Sequence, residues 1–161
     1  MRDFSMVAPS LWHSERFTGL TSDDARLAYL YLLTSPHQNS AGAYRLPDGY
    51  AASDLRWPVD RYQKARAELV TAGLVKHDAS ASVIMITRWF RFNAPQNEKH
   101  LTGIRRILEK LPSQSIWEAA TEELEAALDA TAKAKAERQD KEEPPHQTAS
   151  KSWKEWKPRI A

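Results

Sequence analysis

The sequence predicts an α+β fold, and three observations predict it. A capped, apolar segment at 21–33 reads as a buried helix, and two helical segments at 48–55 and 58–72 are separated only by Arg56-Trp57-Pro58. A β-branched-rich pair, 74–78 and 83–87, reads as a hairpin. A chain of 161 residues has room for one sizeable core and a short appendage.

The first helix starts at Thr21-Ser22-Asp23-Asp24, where a hydroxyl is followed three residues on by a carboxylate, and continues through Leu27-Ala28-Tyr29-Leu30-Tyr31-Leu32-Leu33. Its second half is apolar nearly all round, the pattern of a buried spine. Thr34 to Ser40 is a cluster of turn formers, and Pro36 disfavours a helical Ser35. Gly42 to Leu46 reads as a short strand, after which Pro47 opens a second helix, 48–55, expected to bury Tyr50, Ala51 and Leu55.

Pro58 is tolerated in the first position of a third helix because its missing N–H has no helical partner there. Val59, Tyr62, Ala65, Leu69 and Ala72 keep helical spacing and are expected to face the core. Asp60, Arg61, Gln63, Lys64, Ala67 and Glu68 then point outward, with Arg66 at the boundary, and Gly73 caps the end. Helix, strand, helix, helix and hairpin together make a winged helix-turn-helix over residues 1–95.

A helical connector or extension at 96–135 follows, with segments at 100–111 and from Ser115 onward divided by Pro112. Ile116, Ala119, Ala120, Glu123, Leu124, Ala127 and Leu128 mark a largely apolar stripe suited to cover the domain or to seam a homodimer. Residues 136–161 have the composition of a disordered tail.

Bulk properties exclude more than they assert. The net charge is +2, the mean hydropathy −0.62, and there is no cysteine, hence no disulfide framework, thiolate site or cysteine nucleophile. The expected location is the cytoplasm, since the N-terminus lacks a signal-like apolar region and no stretch is long enough to span a membrane. His13, His37, His77, His100 and His146 are scattered, and no HExxH, GxSxG, Walker or GxGxxG pattern occurs. Neither an enzyme, a metal site nor a cofactor is expected.

The short link between the second and third helices makes them cross, so that the third can lie in a major groove. Arg61, Gln63 and Lys64 are the candidate contacts, with Arg56 at the turn, Arg66 reaching a phosphate and Lys76 touching one from the wing. Gln matches adenine and Arg matches guanine bidentately, whereas Lys suits phosphate. Residues 53–91 hold seven basic side chains against four acidic ones, and Asp60 and Glu68 oppose a phosphate backbone. Trp57, Trp89, Phe90 and Phe92, interleaved with Arg88 and Arg91, read as core and cover ahead of a stacking platform for single strands. Trp12 is expected against the first helix.

Leu30 to Asn39 (LYLLTSPHQN), Gly42 to Pro47 (GAYRLP) and Ala67 to Asp78 (AELVTAGLVKHD) resemble the N-terminal winged-helix domain of phage and prophage replication initiators. These are the replisome-organiser or replication-protein-O-like proteins, similar in role to DnaD-type primosome proteins. The likeness covers roughly residues 2–95 and extends weakly through Arg91 to Pro95 and Ile104 to Pro112. It implies origin DNA binding and recruitment of a helicase or helicase loader. Beyond Lys135 the chain is too short for a second DnaD-like domain, so recruitment would fall to helices and a peptide.

The final peptide supplies a candidate for that role. Lys151 to Ile160 carries four basic residues against one acid, and Trp153 and Trp156 stand three apart beside Lys154 and Lys157. On an induced helix both rings share one face, fit for a partner groove or for stacking on nucleic acid. Two rival readings accompany the initiator: a winged-helix transcriptional repressor or regulator, and an interaction adaptor that does not bind DNA.

Overall fold

The computed structural model describes residues 5–141, with side chains to residue 138. The chain is α+β, as predicted. A 3-10 turn (Pro9–His13) leads into α1 (Glu15–Thr18), α2 (Asp23–Thr34), β1 (Ala43–Arg45), α3 (Asp48–Leu55) and α4 (Val59–Thr71). Then come β2 (Val75–Asp78), β3 (Val83–Ile86), α5 (Trp89–Phe92), α6 (Glu98–Glu109) and α7 (Gln114–Lys141). One compact unit extends to Leu128 and a second begins at Asp129, where the described side chains of α7 are exposed. The expectations for residues 142–161 lie outside the described residues.

Helix α2 is capped one residue later than its sequence suggests. Ser22 Oγ accepts the Ala25 N–H at 3.1 Å, while the Thr21 and Ser22 hydroxyls both donate to Glu68 of α4. Ala25, Ala28, Tyr29 and Leu32 are buried, but Leu27 is 49 % exposed and Leu30, Tyr31 and Leu33 are half-buried. The helix is one-faced, not enclosed. The Trp12 and Phe17 rings meet edge to face, 5.3 Å between centroids.

The sheet is antiparallel with order β1-β3-β2. Tyr44 pairs with Ile84, and Lys76 pairs with Met85. All four residues of β3 are buried although alternate side chains leave opposite faces, so this central strand is covered on both sides. The strand entry depends on Gly42: its φ is +66°, and a Cβ built there would lie 2.2 Å from Trp89 Cγ. Trp89 fills that space and donates its indole N–H to the Ser40 carbonyl at 2.9 Å.

Helix α3 buries Ala51 and Ala52, which bring it close to α4. Tyr50, expected inside, is 60 % exposed and tilts against His37, since its place in the first turn of a two-turn helix falls on the outer side. Tyr62, Ala65 and Leu69 of α4 are buried as their spacing predicts, whereas Val59 at the helix start is 44 % exposed. Gly73 closes α4 in the left-handed conformation, and the Leu74 amide reaches the Leu69 carbonyl at 3.0 Å.

Helix α6 starts two residues before the predicted segment because the Asn97 side chain accepts the His100 N–H at 2.8 Å. Leu101, Ile104 and Leu108 of α6 join the same hydrophobic cluster as the sheet, as do Ile116, Ala119, Ala120 and Leu124 of α7. The stripe expected either to cover the domain or to seam a dimer is thus packed in this chain's own core. Ser113 joins α7 to the hairpin, donating its hydroxyl to Asp78 at 2.6 Å while accepting the Ile116 N–H.

Gly42→Ala is expected to destabilise the protein by about 2–4 kcal/mol, combining left-handed strain with overpacking against Trp89. Gly49→Ala, in an exposed helical turn with nothing within 4 Å of the new methyl, should be neutral or stabilising by up to about 1 kcal/mol. Urea unfolding midpoints of the two variants check the contrast.

Candidate nucleic-acid interface

Helices α3 and α4 meet across Arg56-Trp57-Pro58. Arg56 closes α3 with φ 55° and ψ 41°, and the Trp57 amide reaches the Ala52 carbonyl at 2.8 Å. This is the closure that Gly73 performs for α4, made here with an exposed arginine. A non-glycine residue in this conformation carries strain of roughly 1–2 kcal/mol, so its side chain needs a reason to be there.

Buried Tyr62, Ala65 and Leu69 leave Arg61, Gln63 and Lys64 exposed on α4. Each has an intramolecular acceptor that spacing did not reveal, except in the case of Lys64. The Arg61 fork bonds both oxygens of Asp24 on α2, at 2.8 and 2.6 Å, and its guanidinium lies 4.3 Å from the Trp57 ring centroid. The hydrogen bond from Arg61 holds the Asp24 carboxyl below its usual pKa, and Arg61 is raised in turn. Gln63 donates to Asp48 at 2.9 Å. Lys64 stands 3.6 Å from Asp60, one helical turn back, with both side chains mostly in solvent.

Arg66, expected at the boundary, is mostly buried, and Glu68, expected outward, is held against the start of α2. Arg66 is only 15 % exposed, bridges to Asp48 at 3.1 Å and lies against the His77 ring. Burial and the adjacent guanidinium push His77 below the usual histidine range, keeping it a neutral acceptor. Arg66 therefore fastens α4 to the start of α3 and to β2; the sequence expectation that it reaches a phosphate does not fit this position. Glu68 is no outward acid either. Its carboxylate accepts the Ser22 hydroxyl at 2.6 Å, the Thr21 hydroxyl and both backbone N–H groups, and the Ser22 hydroxyl foremost holds its pKa down.

On the hairpin, Lys76 is exposed on the outer strand β2. The tip is built by Asp78, which accepts Ser80 N–H and hydroxyl at 2.9 and 2.6 Å, and Ser82 turns there with φ 52°. The Ser113 hydroxyl first, then Ser80, lowers the Asp78 pKa to about 2. The exposed apex, Ala79-Ser80, bears no cation. Trp153, Lys154, Trp156 and Lys157, the candidate partner contacts, lie outside the described residues.

The outward surface is thus a row of Arg61, Gln63 and Lys64 with Arg56 at one end and Lys76 on the neighbouring strand. It can hydrogen-bond base edges and phosphates, and two of its four cations are paired with acids, Arg61 with Asp24 and Lys64 with Asp60. Among the described residues no cluster of three His, Asp or Glu side chains could hold a metal ion, and no helix is long and apolar enough to cross a membrane.

Arg56→Gly should relieve the strained closure and raise stability by about 1 kcal/mol, read as a higher thermal midpoint. The same substitution at exposed Gln63 should have no such effect, because helix-interior glycine is destabilising.

No protein-family model, curated protein sequence or solved structure matches this chain.

Proposed function

We propose that the chain binds double-stranded DNA as a winged helix-turn-helix protein, with α4 in the major groove and the β2–β3 hairpin beside the sugar-phosphate backbone. The observation that carries this reading is the polar row Arg61, Gln63 and Lys64 on the exposed side of a helix fixed at a three-residue turn. The element order and the β1-β3-β2 sheet support the winged-helix assignment.

Arg61 and Gln63 are the base-reading side chains of this proposal, because a fork and an amide can each make paired hydrogen bonds to purine edges. Lys64, Arg56 and Lys76 contact phosphates. The acids tune the exchange: Asp24 holds Arg61 in place until a base edge replaces it, and Asp60 holds Lys64 until a phosphate does. Such exposed ion pairs are weak, so the exchange is cheap, and the net affinity rests on counterion release at few phosphates. Arg66 and Glu68 position the helix and touch no DNA.

The biological setting we infer is phage-type replication initiation, and it rests on the resemblance carried by 30–39, 42–47 and 67–78. In that setting the winged domain binds origin DNA, and Trp153, Lys154, Trp156 and Lys157 engage a helicase or its loader.

Duplex affinity should fall at least tenfold when Arg61, Gln63 and Lys64 are replaced by alanine, with a salt slope shallower by about 1 to 2. Asp24→Asn and Asp60→Asn should move affinity the other way. Unchanged duplex binding in the triple variant sinks the α4 assignment, and absent duplex binding by the native chain favours the adaptor reading. Pull-down of a helicase or loader with and without residues 151–161 separates an initiator from a repressor.

A further inference from the structure

A cavity of about 540 Å³ opens on a different part of the domain, between the N-terminal turn and the β3–α5 junction. Its apolar wall includes Leu33, Ile86 and Trp89, and Phe92 at the rim is 63 % exposed. Three arginines border it: Arg16 from α1, Arg88 before α5, and Arg91 within α5. The size is that of a small-molecule site, and apolar walls with a few convergent polar groups are its usual make-up.

These cations differ from those of α4. Among the described residues neither Arg88 nor Arg91 is ion-paired, and Arg91 lies 5.7 Å from the Phe92 ring centroid. Arg16 commits Nη1 to the Gly73 carbonyl at 2.6 Å and to the Thr87 hydroxyl at 3.3 Å, leaving its other nitrogens open to a ligand. Burial, and then repulsion from Arg88, hold the Arg16 guanidinium below its usual pKa. Two acids are near. Glu15 is in the lining, and Glu123 accepts the Arg88 backbone N–H through Oε1 at 2.9 Å while its other oxygen is buried without a hydrogen-bond partner and its charge acts on Arg16.

Arg88 supplies a second, independent pointer. It is held with φ 58° and ψ 28°, a conformation that favours glycine, at an exposed position where it contributes nothing to the core. The strain turns the chain so that Trp89 enters the core while Arg88 and Arg91 both border the cavity.

We propose that this cavity binds an aromatic phosphate of mononucleotide size, its phosphate among Arg16, Arg88 and Arg91 and its ring against Phe92 and the apolar wall. Three guanidiniums exceed what one carboxylate can use, whereas a phosphate offers three oxygens and close to two charges. Such a ligand comes either from free nucleotide or from the 5′ end of a nucleic-acid strand. The site is separate from the α4 surface and does not depend on the duplex-binding proposal.

The test is calorimetric titration of the full chain with thymidine 5′-monophosphate, thymidine and inorganic phosphate. The mononucleotide should bind saturably with a Kd on the order of 10–100 µM, at least tenfold tighter than either fragment. Arg88→Gly combined with Arg91→Ala should weaken it tenfold or more without lowering the unfolding midpoint, because the glycine relieves strain. A 5′-phosphorylated oligothymidylate that binds more tightly through the same arginines assigns the ligand to a strand end; weaker binding assigns it to free nucleotide. No saturable binding, equal binding of phosphate alone, or binding indifferent to both substitutions overturns the proposal.

Discussion

Helix α4 is fastened to its neighbours along one side by apolar packing and at three points by polar bonds, and the rest of the domain's surface follows from that. Tyr62, Ala65 and Leu69 turn toward the core, while Glu68 receives four hydrogen bonds from Thr21 and Ser22 at the start of α2. Arg66 and Gln63 share Asp48 at the start of α3, and Arg61 grips Asp24. A helix so tied cannot roll. The Arg61-Gln63-Lys64 row stays outward because no other rotation satisfies Glu68 and Arg66 together.

The same bonds give the polar side chains of α4 two distinct jobs. Half-buried Arg66 and Glu68 have exchanged much of their water for protein partners, with Arg66 Nε alone left buried and unbonded, and removing Asp48 or the Ser22 hydroxyl would leave the charge it partners stranded. Arg61 and Lys64 hold their acids in solvent, where the gain is small and exchange for another anion costs little. Arg61 on Trp57 keeps its fork extended along the α3–α4 turn even before a ligand arrives. Among the described residues the arginines around the cavity, by contrast, form no ion pair with an acid.

How much of this could be read from the sequence follows from the range of each interaction. Periodicity placed α3, α4 and the hairpin, and the buried residues of α4, because those signals sit within one or two turns. The Asp60–Lys64 pair is equally local. The Asp24–Arg61 and Glu68–Thr21 contacts join residues 37 and 47 apart, and no spacing rule announces them. That is why Glu68 read as an outward acid and Arg66 as a phosphate contact. Tyr50 and Leu27 read as core because apolar character was the only signal, while the docking of α2 and α3 decided which side of each was covered. Arg16, Arg88 and Arg91 are 75 residues apart at the extremes and meet only in the folded chain.

Whether Arg61 leaves Asp24 for duplex DNA decides whether α4 is the DNA-reading helix. NMR observation of the Arg61 Nε–Hε resonance during titration with a duplex reports that exchange at the atom concerned. A shift of this signal that saturates with binding, and that salt reverses, is the predicted result. Duplex binding that leaves the Arg61 signal in place, still paired with Asp24, would contradict the assignment of α4 as the DNA-reading helix.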